Sequence, residues 1–141
     1  MRKHIRSVSV LLMLVVSVGL TGCVRLGVTY FDPTTYQNLT DVKPRVETLY
    51  STFSTDVIDT IEVQSIRLKL SQIYEYESGK GPDNAATTKQ IDFIRGMFDR
   101  HTSSRLQDGQ WSSVMFQNNK ESILRLFDIA IETERLKNKN N

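Results

Sequence analysis

Cysteine occurs once in the 141 residues, at Cys23, so no disulfide can form within the chain and no thiolate-rich metal site can be built. Histidine is almost as scarce, with only His4 and His101. One thiol and two imidazoles do not make up a common zinc ligand set, and no metal or cofactor is expected. The three prolines, Pro33, Pro44 and Pro82, leave long stretches free to be helical. Basic blocks are missing beyond the first six residues, which argues against nucleic acid as a partner. Long apolar runs are missing too, with one exception at residues 8–20. That run falls short of the about 20 residues needed to cross the hydrocarbon core of a bilayer.

The exception sits behind Arg2, Lys3, His4 and Arg6 and ends in Leu20-Thr21-Gly22-Cys23. A basic start, a short run that is apolar on every side and small residues before a cut describe a secretory leader. The last four residues resemble the lipobox of bacterial lipoproteins: Leu, two small or polar residues, then Cys. The resemblance implies cleavage between Gly22 and Cys23, a diacylglyceryl group on the Cys23 sulfur and acylation of the new amino terminus. It places the chain in the cell envelope. Val24 is not the Asp that tends to retain such proteins at the inner membrane, so the outer membrane is expected if the cell is Gram-negative. A chain carrying two or more acyl groups is anchored stably without any spanning helix.

Cleavage removes Arg2, Lys3 and Arg6 and no acid, which takes the formal charge from +2 to −1. The remaining 119 residues suffice for one domain with a single core. We expect a lipidated tether over 23–32, a helical domain over 33–137 and a polar tail over 138–141. The tether "VRLGVTYF" alternates apolar residues, a pattern suited to an extended segment lying on the domain or in the lipid interface.

Asp32-Pro33 reads as an N-cap followed by Pro at the first helical position. A second start is expected at 41–44. From there Val46, Leu49, Tyr50, Phe53 and Val57 form one apolar face. The pattern blurs across "STDVIDTIEV", either a break or a distorted continuation. Ile66, Leu70, Ile73, Tyr74 and Glu77 restore a helix that "ESGKGPD" ends, with Gly79 as the expected left-handed cap. A third helix carries Ile91, Ile94, Met97 and Phe98. The last starts near Ser112 and turns Met115, Phe116, Ile123, Leu124, Phe127, Ala130 and Ile131 inward. The fold class is therefore all-α, a small bundle of about four helices.

Candidate chemistry is thin. "SGKGP" lacks the spacing and the strand–helix setting of a phosphate loop. Asp99, His101 and Ser103 are two residues apart, which spreads them around a helix; His101 suits a dipole partner near a helix C-terminus. Two carboxylate pairs are conceivable for glycan hydrolysis, Glu75 with Glu77 and Asp128 with Glu132. The first pair lies on different faces, and the second reads as part of a solvated charge ladder with Glu121, Arg125 and Arg135. No catalytic residue is assigned. Trp111 and Tyr76 are the candidate partner contacts, since Tyr and Trp are enriched at interfaces. The expected role is an interaction or accessory module for another envelope component. The alternatives are an envelope hydrolase working through carboxylates, or a bundle that binds lipid or another apolar ligand.

Overall fold

The computed structural model describes residues 30–55 and 57–137. The leader, Cys23, residues 24–29 and the tail 138–141 lie outside the described residues. Four helices form: α1 (Pro33–Ser51), α2 (Thr60–Gly79), α3 (Ala85–Asp108) and α4 (Ser113–Leu136), with a 3-10 turn, Pro82–Asn84, leading into α3. Each helix runs antiparallel to the next, and α4 closes the ring against α1. Ion pairs fix the registers, Arg45 with Glu62 between α1 and α2 and Arg67 with Asp99 between α2 and α3. Leu39, Val42, Val46 and Leu49 meet Val63, Ile66, Leu70, Ile73, Ile91, Ile94, Phe98, Ile123, Phe127 and Ala130 in one core.

Local capping explains most boundaries. Asp32 Oδ1 accepts from the Thr34 N–H at 2.8 Å, and Pro33 occupies the first helical position. The blurred stretch before α2 is a break: Asp59 caps α2 through the Glu62 N–H at 2.9 Å. Ser112 caps α4 through the Met115 N–H at 3.3 Å.

Three expectations are corrected. No helix starts at 41–44; α1 runs through Pro44 without a break. Pro44 lies on the exposed side, while Leu39, Val42 and Val46 hold the inner face, so the helical bond that proline cannot donate is lost on the solvent side. The left-handed residue after α2 is Gly81, with φ +87°, not Gly79. The helix runs two residues further than the glycine signal suggested because Lys80 stays helical and folds its ammonium back onto Glu77. Val57 and Met115 do not join the core. Val57 falls in the α1–α2 loop and Met115 in the first turn of α4, where no facing helix covers them.

Candidate functional site

The chain enters the bundle at residues 30–32, and the last turns of α2 and α4 end beside it; this is the tether end. Two carboxylates there are fully buried, Glu77 and Glu134. A buried carboxylate is costly unless it is paired and hydrogen-bonded. Glu77 Oε1 accepts from Thr35 Oγ1 at 2.5 Å and from Lys80 Nζ at 2.9 Å, and its Oε2 accepts from Asn84 Nδ2 at 2.8 Å. Lys80 Nζ also lies 2.6 Å from Asp32 Oδ2, which takes the Tyr76 hydroxyl at 2.7 Å. The Asp32 N–H donates to Glu134 Oε1 at 2.7 Å. Lys137 Nζ sits 2.6 Å from Glu134 Oε2 as an ion pair, out of line for a hydrogen bond, and donates instead to Asn84 Oδ1 at 3.2 Å.

This network ties all four helices together. Burial opposes charge on Asp32, but Lys80, Tyr76 and the Thr34 N–H outweigh it and hold the carboxyl well below the usual carboxylate range. Burial likewise opposes charge on Lys80, and the Asp32 and Glu77 carboxylates overcome it. Every oxygen of Glu77 is already occupied, which suits a latch and leaves no lone pair for a substrate. Beside the latch an open recess of about 360 Å³ is lined by Tyr30, Phe31, Asp32, Pro33, Lys80, Asp83 and Asn84.

The opposite, far end is built differently. Tyr50 and Phe53 stack with centroids 4.7 Å apart, and Trp111 meets Phe53 edge-on at 4.9 Å. The Trp111 N–H donates to the Phe53 carbonyl at 3.0 Å, and the side chains of Gln110 and Arg105 reach the Ser54 and Thr55 carbonyls, so the two far loops are joined. Around them stand apolar side chains left in the open: Val57 at 78 % and Ile61 at 82 % exposure, with Leu106, Val114 and Met115 also exposed.

The expected site residues fall as follows. Glu75 is exposed while Glu77 is buried, so that pair does not converge. Asp128 pairs with Lys43, and Glu132 with Arg135 at 2.6 Å, both on the surface. Asp99 pairs with Arg67 at 2.7 Å and Ser103 is exposed, so neither approaches a triad with His101. Trp111 is corrected: at 4 % exposure it is a core residue and has no surface to offer a partner. Tyr76 stays partly exposed at 41 %, its hydroxyl on Asp32 and the Lys80 ammonium 4.4 Å from its ring centre. The far-end apolar group and the Glu134 side of the latch were not foreseen. Glu134 does continue the spacing of Ile123, Phe127 and Ala130, and that was the available signal.

His101 is also corrected. It lies well inside α3, not at its end, with Nδ1 3.0 Å from the Tyr50 hydroxyl and its ring edge-on to Trp111. Burial, helped by the Arg100 charge, pushes its pKa down, while burial, helped by the Asp99 charge, pushes the Tyr50 hydroxyl up. The unfolded chain therefore takes up a proton first as pH falls below about 6.5. Stability should decline from pH 7 toward pH 5.5, and His101→Gln should flatten that slope; urea midpoints across this window check it, and an unchanged slope in the variant would count against the assignment.

Among the described residues no three His, Cys, Asp or Glu side chains are placed to share a metal ion, and no helix is long and apolar enough to cross a membrane. Comparison with known proteins returns no match: no protein family, no curated protein and no solved structure is similar to the chain.

Proposed function

We propose that the protein is a lipid-anchored helical adaptor of the cell envelope, held through Cys23 at the outer membrane if the cell is Gram-negative, and binding another envelope protein through its far end. The observation that carries this reading is the gathering of Val57, Ile61, Leu106, Val114 and Met115 in the open at the end opposite residues 30–32. All five lie in, or within one turn of, the two far loops, and apolar residues grouped on a surface are a feature of interaction sites. The lipobox-like Leu20-Thr21-Gly22-Cys23 supports the anchor. Of the carboxylates considered for glycan hydrolysis, Glu77 is buried among its own partners, and Asp128 and Glu132 form ordinary surface ion pairs.

A photo-crosslinking residue placed at Ile61 and, separately, at Val114 should trap one and the same envelope protein in cells of the native host. The same residue at Arg125, on the outer face of α4, should not trap it. Equal capture from all three positions, or none from Ile61 and Val114, would overturn the adaptor reading. A fatty-acid analogue should label the wild type and miss Cys23→Ala.

A further inference from the structure

The tether end keeps three large side chains in the open: Tyr30, Tyr76 and Leu136, the last at 69 % exposure. Shared neighbours link them. Tyr76 touches Asp32, and Tyr30 and Asp32 line the first recess, whose Asp83 also lines a second recess of about 340 Å³ bounded by Leu136 and Lys137. Only six residues separate Cys23 from Tyr30, and the seven steps between them, fully extended, reach at most about 25 Å. A lipid on Cys23 therefore confines this end, and not the far one, to the neighbourhood of the bilayer, because α4 alone is about 36 Å long.

Tyr at the headgroup level and Leu in the acyl boundary are the side chains a membrane surface accommodates best. Charge narrows the choice of lipid. Among the described residues Asp32, Glu77, Asp83 and Glu134 outnumber Lys80 and Lys137 at this end, and Arg25 and Lys139 of the flanking sequence only restore the balance, so no net charge draws it to an anionic surface.

We propose that the tether end rests on the bilayer itself, with Tyr30, Tyr76 and Leu136 entering the headgroup–acyl boundary of a zwitterionic lipid surface and the bundle axis standing away from it. This rests on the lipid anchor read from Cys23. The contact is apolar, independent of salt, and leaves the far end directed off the membrane.

The test uses the acylated protein as isolated from its host, reconstituted in phosphatidylcholine vesicles with brominated acyl chains, which quench only a nearby indole. Leu136→Trp is made with Trp111 retained, so the core is untouched. The added emission should fall by half or more, while the wild type and Val57→Trp should keep theirs. Replacing a third of the lipid by phosphatidylglycerol should not deepen the quenching. Quenching at 57 equal to or greater than that at 136, or quenching at 136 only with anionic lipid, overturns the proposal. The mass of the isolated protein separates the two readings. Acylated Cys23 with unquenched residue 136 sinks the docking alone, and a bare thiol sinks the anchor and the docking together.

Discussion

Glu77→Ala should lower the free energy of unfolding by about 3–5 kcal/mol, the usual cost of removing one partner from a buried ion pair. Without the carboxylate, Lys80 Nζ, Asn84 Nδ2 and Thr35 Oγ1 lose their common acceptor in a place where Glu77 is fully buried. Set against a total of about 5–15 kcal/mol for a domain of this kind, that loss leaves the bundle marginal. Glu77→Gln keeps an acceptor oxygen but not the charge, and should fall between the two. Urea unfolding with an unchanged slope and a shifted midpoint checks this. A loss below about 1 kcal/mol for the alanine variant, the scale of a single neutral hydrogen bond, would show that the latch is incidental.

Trp111→Ala should cost about 3–5 kcal/mol, in the range of other large aromatic deletions from cores. The indole fills the space between Tyr50, Phe53 and His101 and covers the junction of the two far loops. Trp111→Phe should cost much less, because the indole N–H has no acceptor among the described residues and only volume is lost. Thermal or urea unfolding of both variants separates the cases. Equal losses would mean that the N–H matters after all. Because Val57 and Ile61 stand next to this junction in sequence, the alanine variant should also weaken capture through Ile61.

What could be read beforehand was local. The Asp32 cap with Pro33, the Ser112 cap and the apolar stripes of α2, α3 and α4 each depend on residues within a turn or two, so their spacing was sufficient. Pro44 misled because its effect on α1 depends on which side of the helix faces water, and α2 and α4 decide that. The Gly79–Gly81 shift had a similar cause: where α2 ends depends on Lys80 finding Glu77 and Asp32, the latter nearly fifty residues away. Glu77 was visible as a member of an interior stripe, but its partner Thr35, and the link of Asp32 to Glu134, span separations that no local pattern encodes. Trp111 was a candidate contact on residue type alone, since Tyr and Trp are enriched at interfaces, and residue type does not say which way a loop turns. The turn in fact folds it inward against Phe53.

The bond from the Asp32 N–H to Glu134 ties the first turn of one outer helix to the last turn of its neighbour. Tension arriving along the chain ahead of Asp32 meets this clamp before it can peel α1 away. Were the proposed partner to hold the far loops, the pull would run parallel to the helix axes and load them lengthwise past one another. Rows of side chains then resist together instead of unzipping one by one, a loading geometry suited to a molecule strung between two bodies that move apart.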